Sequence, residues 1–164
     1  MMRLALGIGS NVGDRMNNLR KAVQLLKEKG VVIIAKSDIF ETAPMGVTDQ
    51  PRFLNACIVV DTKFDLEELL SVVKSIEQEM GRVHRLRWGP REIDIDLLLL
   101  ENGEVLDSST LKVPHPEMHK RAFVLMPLAQ IAPDWIHPLL KVSVKKLAED
   151  IHSQDETLLK ISSL

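Results

Sequence analysis

The stretch DLEELLSVVKSIEQEMG, Asp65 to Gly81, decides the fold. Leu66, Leu70, Val73 and Met80 recur at the 3.6-residue period of an amphipathic helix. Asp65 stands at the N-cap position, Glu68 three residues on completes a capping box, and Gly81 supplies the stop. Two runs of different character flank this helix. FLNACIVVDT (53–62) precedes it and IDIDLLLL (93–100) follows it, and both read as strands.

Upstream the same pattern begins. RLALGIGS (3–10) reads as a strand, and NVGDRMNNLRKAVQLLKEKG (11–30) sets Met16, Leu19, Val23 and Leu26 at helical spacing with Gly30 at the stop. VVIIAKSDIF (31–40) is a strand, and ETAPMGVTDQPR (41–52), with two prolines and a glycine, is a long loop. The order β-α-β-β-α-β is the split, ferredoxin-like arrangement of an α+β fold. It predicts one antiparallel sheet with helices packed on one face. GEVLD (103–107) adds a short edge strand, and KVPHPEMHKR (112–121) is a loop. AFVLMPLAQI (122–131), with Pro127, and SVKKLAED (143–150) form a helical C-terminal extension.

Length and composition narrow the function. The 164 residues fit a single domain, 1–164, with 45% hydrophobic and 27% charged residues. A formal net charge of −2 lacks the basic excess of a general nucleic-acid binder. Aromatics at 4%, with no tyrosine, leave a sheet face poor in stacking platforms for RNA. Cys57 is the one cysteine, so no intramolecular disulfide forms; in ACIVV it reads as a small buried thiol. No basic and apolar leader opens the chain, and no apolar run approaches the roughly 20 residues of a membrane span. A cytoplasmic protein without membrane partners is expected.

The chemistry sits in RWGPREIDIDLLLL, Arg87 to Leu100. Asp94 and Asp96 alternate with Ile93, Ile95 and Leu97, so both carboxylates share one strand face, about 6.6 Å apart along the chain. Two such acids repel, and a divalent cation removes the conflict. Mg²⁺ suits them, because it takes few protein carboxylates and completes its octahedron with water and substrate phosphates. Leu98 and Leu100 are expected to continue the same face, which puts the acids at the rim of a buried strand. Bare surface acids are the bland alternative. The segment 82–91 carries Arg82, Arg85, Arg87, Arg91 and His84 without an acid. Beside the acid pair, these cations suit a polyphosphate–metal substrate better than a solvated basic loop. Trp88 adds an aromatic face. Glu77 falls within the apolar stripe of its helix and needs a partner there.

Other residues point to a flat polar ring. Asn55 lies within an apolar strand, and its amide offers donor and acceptor side by side. Phe53 and Phe123 are placed to stack on such a ring, although each also reads as core packing. His115, between two prolines, is rigidly set. GIGSNVGD follows a strand, yet it has neither the Walker nor the dinucleotide glycine pattern.

Taken together, LGIGSNVGD, TAPMG…QPRFLNA, GR…RWGPREIDIDLLL and VPHP…R.F resemble the 6-hydroxymethyl-7,8-dihydropterin pyrophosphokinase family over roughly residues 4–135. The resemblance implies transfer of the β,γ-pyrophosphoryl group of ATP to the hydroxymethyl oxygen of the dihydropterin, leaving AMP, in folate biosynthesis. It implies two Mg²⁺ ions on Asp94 and Asp96, and catalytic contacts from Arg82 and Arg91 to ATP phosphates. A second loop cation of the family falls at His84 or Arg85. His115 and Arg121 match the nucleotide side. Gly9, Thr42, Ala43, Pro44, Met45, Phe53, Asn55, Trp88, Asp94 and Phe123 match the pterin pocket, and Glu77 stands behind it. Phe53 replaces a tyrosine of some members, as Pro116 does after His115. The implied partners are ATP and the dihydropterin, and the implied assembly is a monomer or weak homodimer. Another Mg²⁺-dependent nucleotidyl or phosphoryl transferase on the same fold is the alternative. Loops 43–52 and 82–91 are expected to close over bound substrates.

Overall fold

The computed structural model describes residues 1–42, 52–81, 92–152 and 158–164. Its sheet is built around β1 (Met2–Ser10), which pairs antiparallel with β4 (Phe53–Thr62) on one side and β5 (Asp94–Leu100) on the other. β2 (Val32–Lys36) and β3 (Asp38–Thr42) pair in succession along the outer side of β4. The order β3–β4–β1–β5, with β2 beside β4 on the same side as β3, is the antiparallel sheet of the ferredoxin-like fold.

The single strand expected over 31–40 is two strands because Ser37 interrupts it. The Ser37 hydroxyl accepts from the Cys57 N–H at 2.8 Å, and the Ser37 N–H donates to the Cys57 carbonyl at 2.9 Å. A side-chain oxygen thus replaces one backbone acceptor of the ladder. The next N–H, of Asp38, leaves the sheet to bind Gln130 Oε1 at 2.8 Å.

Helices cover both faces. α1 (Arg15–Glu28) and α2 (Leu66–Gly81) bury Leu19, Val23, Leu26, Leu69, Val73 and Ile76 against Leu4, Leu6, Ile8, Ile58 and Val60. The buried line of α2 is Leu69, Val73 and Ile76, so the stripe is rotated from the expected one and Glu77 lies at its margin. α3 (Ala122–Ile131) and α4 (Val144–His152) pack on the opposite face over Ala5, Cys57, Val59, Leu98 and Leu99. The one-face expectation therefore holds for the βαββαβ unit alone, and the extension closes the second face. Cys57 is buried there as expected, and burial pushes its thiol pKa up.

The extension holds more than helices. The GEVLD region gives β6 (Leu106–Asp107), paired with β7 (Lys112–Val113), and β8 (Ile136–His137) pairs with β9 (Val142–Ser143) before α4. β10 (Leu159–Ser163) then adds to β3 as a new sheet edge. Among the described residues, no helix is long and apolar enough to cross a membrane.

Local signals fixed the helix starts. The Glu68 N–H donates to Asp65 Oδ1 at 2.8 Å, and the Asp65 N–H donates to Glu68 Oε1 at 3.0 Å. This reciprocal box satisfies two backbone donors that the first turn leaves open. Asp65→Ala should lower unfolding stability by roughly 0.5–2 kcal/mol in a urea titration. An unchanged midpoint would show that the box contributes nothing.

Candidate active site

Register assembles the site. Along β1 the residues Leu4, Leu6 and Ile8 face α1 and α2, whereas Ala5 faces α3 and α4. By alternation Gly7 and Gly9 take the α3/α4 side. Asn55 of β4 and Asp94 of β5 both stand opposite Gly9, and Cys57 and Asp96 both stand opposite Gly7. Ile95 and Leu97 point to the α1/α2 core, so Asp94 and Asp96 share the opposite face. Asn55, Gly9 and Asp94 thus form one row across three strands, with Asp96 in the next row.

Under α3 this face is apolar. Its end, where the row lies, is polar. The strip does not run straight on as expected: an extra residue at Leu98 shifts the β1–β5 register between Ala5 and Leu6. Leu98 stays on the face of the acids, but Leu100 turns into the α1/α2 core.

Gly9 is required by contact rather than by backbone angle. A Cβ there would lie 2.8 Å from Asn55 Oδ1 and 3.7 Å from Phe53 Cδ1. The Asn55 amide crosses over β1 at a position without a side chain. Asn55 is 8% exposed, and its Nδ2 has no hydrogen-bond partner among the described residues. An unmet buried donor is costly, and a ligand acceptor relieves it. Thr42 and Phe53 form the last pair of the β3–β4 hairpin, on the same side as Asn55.

Glu77 finds its partner at the sheet edge. β5 is an edge strand, and the outward Ile95 N–H donates to Glu77 Oε2 at 2.9 Å. The carboxylate therefore holds β5 between its two aspartates. Burial raises the Glu77 pKa; the Ile95 N–H and Lys74 oppose this, while Asp94 and Asp96 add to the rise.

The far wall comes from the loop after β7. The His115 N–H donates to the Leu98 carbonyl at 2.8 Å, which ties the loop to β5 two residues past Asp96. His115 Nδ1 accepts from the Glu117 N–H at 3.1 Å, so the neutral ring carries its proton on Nε2. Arg121, at the start of α3, places its guanidinium carbon 5.6 Å from the centre of the Phe123 ring. Burial lowers the His115 pKa, Asp96 and Glu117 raise it, and Arg121 lowers it.

The described residues thus bring together Gly9, Phe53, Asn55, Asp94 and Asp96 on the sheet, Thr42 at its margin, and His115, Arg121 and Phe123 from the extension. Ala43, Pro44, Met45, Arg82, His84, Arg85, Arg87, Trp88 and Arg91 lie outside the described residues, as does the closure expected of their loops. No group of three or more His, Cys, Asp or Glu side chains among the described residues is arranged to hold a metal ion. Two hard carboxylates on one face do fit a Mg²⁺ ion that draws its other ligands from water and phosphate.

The chain matches the family model described as 7,8-dihydro-6-hydroxymethylpterin-pyrophosphokinase (HPPK) over residues 5–133. It is 47% identical over 137 residues to the 2-amino-4-hydroxy-6-hydroxymethyldihydropteridine pyrophosphokinase of Methylorubrum extorquens, covering 83% of this chain and 86% of that protein. The Bacillus subtilis enzyme of the same name is 46% identical over 127 residues, covering 77% and 75%. The mitochondrial folate synthesis bifunctional protein of Arabidopsis thaliana is 45% identical over 128 residues, and the match spans only 23% of its length. A crystallised HPPK-DHPS in complex with substrates superposes with a TM-score of 0.76 at 16% identity, over 97% of this chain and 46% of that one, which shows the shared fold.

An NMR titration of free protein should place the His115 midpoint below the ordinary imidazole value of about 6.5. The sign follows from the lowered pKa: the stability contribution is complete above about 6.5 and is lost as pH falls toward the folded value. A midpoint at or above 6.5 would contradict the buried, neutral ring.

Proposed function

The chain belongs to the 7,8-dihydro-6-hydroxymethylpterin-pyrophosphokinase family, and from this premise we propose that the row Asn55–Gly9–Asp94 is where it transfers pyrophosphate from ATP to 6-hydroxymethyl-7,8-dihydropterin. The buried Asn55 amide, whose donor is unmet among the described residues and which lies across β1 from an acid pair, is the observation that carries the reading. The ring lies over the bare Cα of Gly9, paired by Asn55 and flanked by Thr42, Phe53 and Phe123. Ala43, Pro44, Met45 and Trp88 complete this pocket in the proposal.

The hydroxymethyl oxygen forms a bond to the β-phosphorus and releases its proton to water, the bond from that phosphorus to the α,β-bridging oxygen breaks, and AMP leaves with the electron pair. Asp94 and Asp96 hold the metal, as two Mg²⁺ ions, and Asp94 also borders the ring. When bound, Mg²⁺ neutralises phosphate oxygens and orients them. Arg82 and Arg91 act on the phosphates undergoing transfer, with Arg85 and Arg121 as further guanidinium contacts. His115 offers Nε2–H to the nucleotide. A neutral imidazole donates this bond without adding a third fixed positive charge beside Arg121 and the metal. Glu77 touches neither substrate. Through the Ile95 N–H it fixes the strand from which both aspartates project. We place the reaction in the cytoplasm, in one domain spanning residues 1–164, acting as a monomer or weak homodimer.

The test is product identity. ATP, Mg²⁺ and the dihydropterin should give AMP and the dihydropterin diphosphate in equal amounts, read by ³¹P NMR. ADP or free phosphate as the stoichiometric product would instead support another phosphoryl transferase. Asp96→Ala should abolish nearly all of that turnover with an unchanged melting temperature, since Asp96 stands at the polar end of the sheet face and outside both apolar cores. Wild-type turnover in this variant across Mg²⁺ concentrations would remove the acid pair from the metal site.

A further inference from the structure

Arg15 is the first residue of α1, directly after the N-cap Asp14, whose Oδ1 accepts from the Asn17 N–H at 3.2 Å. That carboxylate complements the positive end of the helix dipole, and the Arg15 side chain is committed elsewhere. One guanidinium nitrogen, Nη1, donates to Glu41 Oε2 at 2.9 Å and to the Arg52 carbonyl at 2.8 Å. Arg15 and Glu41 are 29% and 23% exposed at their side chains, so the pair is largely withdrawn from water.

The two acceptors are not arbitrary. Glu41 pairs with Leu54 in the β3–β4 hairpin, next to the final pair Thr42–Phe53, and Arg52 is the residue just before Phe53. A single nitrogen therefore joins both strands where they leave the sheet. α1 in turn is attached to the end of β1: the Asn18 amide donates to the Val12 carbonyl at 2.8 Å and to Ser10 Oγ at 3.2 Å. Three backbone segments meet at this point, carrying Gly9, Thr42, and Phe53 with Asn55.

We infer that Arg15 is a positioning residue for the heterocycle pocket, setting the spacing of these three segments without touching the ring. The inference rests on the proposed pterin site. Loss of Arg15 frees the hairpin end from α1, and Phe53 and Asn55 then lose their fixed distance from Gly9. The acid pair is on β5, two strands from β4 in the sheet, so the nucleotide side lies farther from this clamp than the ring does.

The experiment compares Arg15→Ala, Arg15→Lys, Glu41→Ala, the double variant Arg15→Ala/Glu41→Ala and Asn55→Ala. Affinities are measured by calorimetry for 6-hydroxymethylpterin in the presence of a non-hydrolysable ATP analogue, and for that analogue alone, beside each melting temperature. Arg15→Ala should weaken the pterin about tenfold, the scale of one charge-assisted hydrogen bond, and change analogue affinity less than threefold. The double variant should be no worse than Arg15→Ala, because both remove one clamp. Arg15→Lys should recover part of the loss. Equal weakening of both ligands, or a lower melting temperature with unchanged pterin affinity, would reduce Arg15 to a structural role and overturn the inference. If Asn55→Ala leaves pterin affinity unchanged, the pocket reading itself fails. If Asn55→Ala weakens the pterin and Arg15→Ala does not, only the Arg15 assignment fails.

Discussion

The close crossing of Asn55 over Gly9 is the constraint on which the site depends. A Cβ on residue 9 would stand 2.8 Å from Asn55 Oδ1, a separation that Cβ atoms do not adopt. The antiparallel register sets an amide on one side of that bare backbone and a carboxylate on the other. Together they leave an open floor between a hydrogen-bonding wall and an acidic wall. A flat ring fits the first, and a metal-bound polyphosphate fits the second.

Cost and function coincide around this floor. The face is sealed by α3 and α4 over Cys57, Val59, Leu98 and Leu99, then turns polar where the helices end. Among the described residues Asn55 keeps a buried donor unmet, and burial beside two more acids pushes the Glu77 pKa up. A chain selected for stability alone would have replaced such groups with apolar ones. Their retention at one end of one sheet face is explained by a ligand that brings acceptors for the amide and positive charge for the acids.

Much of this was legible in the sequence, for local reasons. The capping box at Asp65 and the helical spacing from Met16 to Leu26 act within a few residues, and the structure has them. The i, i+2 placement of Asp94 and Asp96 follows from strand geometry alone. What escaped depends on partners distant along the chain. The break at Ser37 needs Cys57 opposite it. The turn of Leu100 into the α1/α2 core needs the register shift against Ala5 and Leu6. β10 is short and mostly polar, and becomes a strand only because β3 offers an edge. Gly9 matched a family pattern, but its physical reason appears only with Asn55 across the strand. Arg15 was missed altogether, because its partners Glu41 and Arg52 stand 26 and 37 residues away along the chain.

The most direct test is Gly9→Ala, with both ligands titrated separately by calorimetry and circular dichroism confirming the fold. The account predicts that one added methyl displaces the Asn55 amide and largely removes 6-hydroxymethylpterin binding, measured with a bound ATP analogue, while affinity for the analogue stays close to that of the unaltered protein. Unchanged pterin affinity in a folded Gly9→Ala protein would contradict it, because the ring would then not depend on the open floor between Asn55 and Asp94.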